Sequence, residues 1–308
     1  MTLKIITHPV FALHPVPMGH PERPDRIRTV WQAIEAGFSD IDQLEAPLAD
    51  QEAIALVHDV RYLEYIASSE PGEEEGLNTL DGDTHMGFHS LEAGLRAAGG
   101  AVLGVDQVMT GQADRVFLAA RPPGHHAEPD RAMGFCLFAS AAIAAQHARV
   151  NYGLTRVAVL DFDVHHGNGT QAAFWKDGDL SFASSHQMPL FPGTGALDET
   201  GVGNIHNAPL RAGSDGAYVT QVWEDYLIPK IRAAKPELIL ISAGFDAHSR
   251  DPLANINCEA EDFGRITTMI RQLAEDVAEG RIVSLLEGGY DLAVSYTHLR
   301  AHETVMNL

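Results

Sequence analysis

The chain has 308 residues, 45% of them hydrophobic, which suffices for one large α/β domain or two smaller ones. Its 21 Lys+Arg against 42 Asp+Glu leave a formal charge of −21, which argues against a nucleic-acid partner; the acidity serves solubility first and would also suit a cationic partner such as a polyamine or a Lys-rich protein segment. No apolar run approaches the ~18 residues of a membrane span, and two cysteines, Cys136 and Cys258, exclude a disulfide framework and suit a reducing, cytoplasmic compartment.

The first residues read as a strand over 4–7 without a cleavable signal pattern. A helical stretch over 21–36 follows, then an acidic loop-like segment over 68–87 and a second helix over 90–109. From there apolar runs alternate with helices: strand 115–120, helix 138–150, strands 157–162 and 180–184, helix 217–234, strand 238–243, helix 259–278 and strand 282–286. The strand candidates are nearly continuous in Val, Ile and Leu, as strands covered on both faces should be. The alternation predicts a mostly parallel sheet with helices on both sides. Residues 186–214, rich in Gly, Pro and Asn, read as a long irregular loop. With no internal repeat, one domain with elaborated loops is expected.

Four polar segments each follow a predicted strand. They are Arg121-Pro122-Pro123-Gly124-His125-His126, the run from Asp161 to Thr170, Phe245-Asp246-Ala247-His248, and Glu287-Gly288-Gly289-Tyr290-Asp291. Sites in open parallel sheets form beyond the carboxyl ends of strands, so four neighbouring strands would bring these segments together. Asp161, Asp163 and His165 stand at i, i+2 and i+4 and project to one face. Burying them demands hydrogen-bond partners or a counter-ion. Asp163, His165 and Asp246 could hold Zn²⁺ with a fourth position open to water, the catalytic rather than the structural arrangement. The same set also accepts Fe²⁺; a hydrogen-bonded cluster without metal is the plainer alternative.

His125 and His126, on a loop stiffened by two prolines, suit a general base and acid near neutral pH. Asp161 could set the tautomer of one, and Asn168 could serve the other as a neutral partner. Tyr290 could donate to the oxyanion of a tetrahedral intermediate. Among the sixteen histidines, His58, His147 and His206 are assigned to surface or core packing.

Together these strings, with Gly134-Phe135-Cys136, the run from Phe191 to Gly195, His20-Pro21-Glu22-Arg23-Pro24 and Asp81-Gly82-Asp83-Thr84, resemble the histone deacetylase and acetylpolyamine amidohydrolase superfamily, in particular its bacterial, class II-type members. The resemblance spans residues 5 to 293. It implies an arginase/deacetylase-like three-layer α/β/α sandwich with a mostly parallel central sheet and long active-site loops. It implies zinc on Asp163, His165 and Asp246, His126 as main base and acid, His125 as an electrostatic helper bonded to Asp161, and Tyr290 as oxyanion donor. Asn168 takes the place of a second carboxylate. Gly134, Phe135, Phe191, Leu253, Gly288 and Gly289 would line a substrate tunnel, and Asp161, Asp163, His165 and Ser184 would hold a structural K⁺.

The implied reaction is hydrolysis of the linear amide of acetyl-lysine, in a protein or a small acylated amine, and a homo-oligomer is compatible with it. Acetylpolyamine hydrolysis is the alternative, weakened by apolar Leu253. An arginase-type two-manganese hydrolase and a silent acyl-lysine binder are remoter readings. Two departures stand out: Phe138-Ala139-Ser140 lacks the family's asparagine, and residues 294–308 lack the apolar face of a final helix. The expected division is a catalytic domain over 1–293 and an atypical, foreign or helix-replacing tail over 294–308.

Overall fold

Strands that lack polar alternation come out buried on both faces. The computed structural model describes residues 2–293. Its elements are β1 (Leu3–Thr7), α1 (Pro24–Gly37), β2 (Asp42–Glu45), α2 (Gln51–Ile54), α3 (Val60–Ser68), the short strands β3 (Asn78–Thr79) and β4 (His85–Met86), α4 (Ser90–Met109), β5 (Arg115–Leu118), α5 (Ser140–Tyr152), β6 (Val157–Asp161), α6 (Asn168–Phe174), β7 (Leu180–Gln187), β8 (Ile205–Leu210), α7 (Gly216–Val222), α8 (Ile228–Ala234), β9 (Leu238–Ala243), α9 (Ala260–Val277) and β10 (Ile282–Leu286). Every residue of β5, β6, β7, β9 and β10 is buried. The expectation for residues 294–308 lies outside the described residues.

The main sheet runs β2-β1-β5-β10-β9-β6-β7-β8, and all its pairings are parallel. Parallel strands need crossovers, and these are right-handed. Passing from β1 to β5 and from β5 to β6, the chain moves one way across the sheet, which puts α4 and α5 on one face. Passing from β8 to β9 and from β9 to β10 it moves back, which puts α7, α8 and α9 on the other. The packing of α4 on α5 and of α7 and α8 on α9 agrees. This is the expected three-layer α/β architecture. Helix α4 lies close to the sheet because it carries glycine where a side chain would not fit. A Cβ at Gly100 would come 2.6 Å from Leu118 Cδ1, and one at Gly104 2.8 Å from Val283 Cγ1.

Several elements differ from the sequence expectation. The stretch 186–214 is not wholly irregular, since β7 extends to Gln187 and β8 forms within it. Strands β2 and β8 are the two edges; an edge tolerates polar residues and, in β8, Pro209, so neither shows an apolar run. The helix expected over 217–234 is α7 and α8 joined by a π-turn at Trp223–Leu227, just ahead of Pro229, which has no N–H to continue the ladder. The short α2, α3 and α6 were not anticipated. Among the described residues no helix is long and apolar enough to cross a membrane.

One buried ion cluster ties the chain's start to the sheet. Glu22 is fully buried and accepts from Arg121 Nη2 at 2.6 Å and from Arg26 Nη1 at 3.0 Å. Arg26 also donates to the main-chain oxygens of Glu287 and Gly289, both at 2.6 Å, and so grips the segment after β10. Burial alone would raise the Glu22 carboxyl, but Arg121 and then Arg26 outweigh it and hold it down at about 2. Because the folded value is depressed, this contribution is complete above the ordinary 4.5 and is lost as pH falls from there to about 2. Glu22→Gln leaves two buried guanidiniums uncompensated and is expected to cost about 3–5 kcal/mol near neutral pH. It should also flatten the acid limb of stability between 4.5 and about 2. Urea titrations of both proteins across that range check this.

Candidate metal centre and active site

Strands β5, β10, β9 and β6 are consecutive in the sheet, so all four polar segments emerge side by side at its carboxyl edge. Asp161 ends β6, and Asp163 and His165 follow it. Asp246 follows β9, Glu287 to Tyr290 follow β10, and His125 and His126 follow β5.

Asp163, His165 and Asp246 are buried, and one ligand atom from each lies within 4.8 Å of the others. His165 Nδ1 stands 2.9 Å from Asp246 Oδ2 and 3.2 Å from Asp163 Oδ1, so this ring nitrogen faces both carboxylates. Main-chain amides fix the acids in place. Gly288 donates to Asp163 Oδ2 at 2.8 Å, His165 to Asp163 Oδ1 at 2.9 Å and Val164 to Asp246 Oδ1 at 2.8 Å. Only glycine allows this approach at 288, since a Cβ there would collide with Asp246 Oδ2 and lie 2.6 Å from Asp163 Oδ2.

Burial, then the charge of Asp163, pushes Asp246 up to about 7. Burial would also raise Asp163, but His125 and His165 hold it well below the carboxylate range. His165 is drawn down by burial, yet its bonds to Asp163 and Asp246 carry it up to about 10. Two acids thus compete for one imidazole, and a divalent cation among them would relieve the competition. An N/O donor set of this composition, rigid and open on one side, fits zinc.

The histidine doublet splits by environment. His125 Nδ1 lies 3.0 Å from Asp161 Oδ2 and its Nε2 lies 3.8 Å from Asp163 Oδ1. Burial works against its charge, but Asp163 and Asp161 outweigh burial and raise it well above the usual histidine value. His126 Nδ1 pairs with neutral Asn168 Oδ1 at 2.8 Å. Burial, then the charges of His125 and His165, lowers it well below that value. The pair therefore offers one cationic and one neutral imidazole, with ring centroids 4.0 Å apart. The doublet's backbone hangs on Glu287, whose Oε2 accepts from Gly124 N at 2.7 Å and His125 N at 3.2 Å.

A cavity of about 240 Å³ opens over this cluster, walled by Asp83, His126, Gly134, Phe135, His165, Leu190, Phe191, Leu253 and Tyr290. Four expected tunnel residues, Gly134, Phe135, Phe191 and Leu253, are there. Gly288 and Gly289 are not among its walls: Gly288 faces the carboxylates and Gly289 faces Phe245 beneath the cavity. Gly134 and Phe135 are both left-handed, at φ 56° and 68°, and a Cβ at Gly134 would strike the His126 ring. Asp83 Oδ1 accepts from Gly134 N at 3.2 Å and Thr84 Oγ1 from Phe135 N at 3.0 Å, which holds that turn. Phe191 meets His126 edge-on at 5.1 Å. Tyr290 faces Phe135 at 5.9 Å, with the Arg26 guanidinium 4.7 Å from its ring centroid. Burial pushes its phenol well above the usual value, so it stays a neutral donor. Asp251 accepts from Tyr290 N at 2.7 Å through one oxygen and from Leu253 N at 3.0 Å through the other.

Ser184 is the register partner of Asp161 across β6 and β7, and its hydroxyl lies 2.9 Å from His186 Nδ1. His58 and His147 sit in hydrogen-bonded positions outside the cluster, His58 taking Ala139 N at 2.9 Å and His147 pairing with Asp106 at 2.7 Å. Glu22, Arg26, Asp83, Asp251 and Glu287 received no role from the sequence. Glu22 and Asp83 lie in motif strings that carry the resemblance and Glu287 closes an apolar strand, but their roles depend on partners distant in the chain.

The histone deacetylase domain family matches residues 20–306. The chain is 40% identical over 293 residues to a "Probable deacetylase" of Methanothermobacter thermautotrophicus, covering 93% of this chain and 85% of that protein. It is 38% identical over 286 residues to a "Histone deacetylase-like amidohydrolase" of Pseudomonas aeruginosa, covering 91% and 74%. Among solved structures, the HDA15 HD domain superposes with a TM-score of 0.92 at 30% identity, covering 99% of this chain and 88% of that one.

Gly288→Ala is expected to leave the sheet folded but to force Asp163 and Asp246 apart. After chelation and reloading, the unaltered chain should take up about one zinc, and the variant far less. Elemental analysis of both proteins, with circular dichroism as the control for folding, decides the point.

Proposed function

This chain belongs to the histone deacetylase domain family, and from that premise we propose that it is a zinc-dependent amidohydrolase that removes an acetyl or similar acyl group from a lysine-like amine. The observation that carries the reading is a buried Asp/His/Asp set beside a small cavity walled by His126, His165 and Tyr290, with the His125 ring 4.0 Å from that of His126.

A zinc ion on Asp163, His165 and Asp246 would supply a Lewis acid for the acyl oxygen and acidify a water to near-neutral pKa. His126, which burial and then the neighbouring charge of His125 keep neutral, takes the proton of the attacking water and returns it to the departing amine. His125, paired with Asp161 at 3.0 Å, supplies positive charge beside the developing oxyanion. The Tyr290 phenol, in the wall of the same cavity, donates to that oxyanion. Phe135 and Phe191 present apolar faces that suit an alkyl chain leading to the amide.

Leu253 brings no negative charge of its own to meet a second ammonium, and Asp83 in the same cavity is bonded to Gly134 N, which favours acyl-lysine or a simple acylated amine over an acetylpolyamine. Ferrous iron would suit the same donors, and a structural potassium would lie beside Asp161 and Ser184. The arginase-type reading loses ground because His125, His126 and Tyr290 occupy the positions where a second metal would need carboxylates. Two buried, unbridged cysteines support a reducing, cytoplasmic setting.

Tyr290→Phe is expected to lower kcat by about 10²–10³-fold with little change in KM and with metal retained. Full turnover in that variant would remove Tyr290 from the reaction. A fluorogenic acetyl-lysine amide and an acetylated polyamine, assayed side by side after chelation, should both be silent. Zinc should restore the first more than the second; activity indifferent to chelation would sink the metal reading.

A further inference from the structure

A carboxylate beside His126 Nδ1 would dictate that ring's tautomer by itself, because a carboxylate only accepts. Asn168 stands there instead, and a carboxamide has an oxygen at one end and an NH₂ at the other, so it can present either. What holds the far end of the amide decides which one faces the imidazole.

At the far end Asn168 Nδ2 meets Glu128 Oε1 at 2.7 Å, the Met133 sulfur at 3.3 Å and the His126 main-chain oxygen at 3.4 Å. All three accept, and the carboxylate is the strongest acceptor of them. Turning the amide over would set its oxygen against the Glu128 carboxylate with no proton between them. Glu128 is itself anchored: Arg131 reaches its Oε2 at 3.2 Å, and its own N–H bonds Arg131 O at 2.9 Å.

We propose that Glu128 is a positioning residue for the reaction: it orients the Asn168 amide so that His126 carries its proton on Nδ1 and turns the Nε2 lone pair to the cavity. The acceptor-only polarity that a carboxylate at 168 would have provided is supplied one residue further out. The inference rests on the reading of His126 as proton acceptor, but its tautomer can be measured without turnover.

The test uses the full chain with ¹⁵N-labelled histidine, and the His126 signal is identified by its loss in His126→Ala. Two-bond ¹H–¹⁵N correlation should show the Nδ1–H form in the unaltered protein. Glu128→Ala should show a mixed or reversed tautomer, with kcat down about 10-fold and KM nearly unchanged. Adding Asn168→Asp to Glu128→Ala should restore both the tautomer and most of kcat. An unchanged tautomer in Glu128→Ala, or a loss of kcat that Asn168→Asp does not recover, overturns the proposal. A correct tautomer in a chain without amidase activity would instead refute the proposed function and leave the orientation standing.

Discussion

Four carboxylates, those of Asp161, Asp163, Asp246 and Glu287, lie at most 1% exposed beyond the ends of three adjacent strands. Carboxylates buried this deeply must find donors or a counter-charge, or else give up their ionisation. Most of the local architecture answers that demand. Asp161 takes His125, Asp163 takes the Gly288 and His165 amides, Asp246 takes Val164, and Glu287 takes Gly124 and His125. The glycines at 124 and 288 bring main-chain N–H groups close enough to serve. The adjacency of β5, β10, β9 and β6 makes the meeting geometrically available.

Chemistry and selection are carried by different parts of the chain. The proposed metal ligands follow their strands closely, where main-chain bonds limit their freedom, and the longer loop that carries His125 and His126 is held by Glu287. The apolar walls, Phe135, Phe191 and Leu253, sit on longer loops. One of these, at Phe135, is held in a left-handed conformation by Asp83 and Thr84. The Glu22 cluster joins the two parts, since Arg26 grips the Glu287–Gly289 backbone and lies over the Tyr290 ring.

How much of this was legible in the sequence follows from range. The interior strands were readable because burial on both faces leaves continuous apolar runs, and the breaks in those runs fell on the site residues themselves. The partners of His125 and His126 were readable because Asp161 and Asn168 occupy one short segment beside the proposed ligands. Edge strands β2 and β8 were not, because an edge has no apolar pattern to show. Nor were Glu22, Asp251 and Glu128: Glu22 meets Arg121 at a separation of 99 residues, and Asn168 meets Glu128 at 40. Gly288 and Gly289 were expected as tunnel walls from the family resemblance. Gly288 does make a close approach, but to the Asp163 and Asp246 carboxylates, and Gly289 makes one to Phe245.

Asp251 has a consequence for how such a pocket can diversify. One carboxylate carries the main chains of both Leu253 and Tyr290, so the wall that meets the substrate and the phenol that meets the reacting carbonyl share an anchor without sharing side-chain contacts through it. Exchange of the side chain at 253 alters the wall while its backbone tether persists. Substrate preference can therefore drift along a lineage, one substitution at a time, through intermediates that keep the phenol aimed.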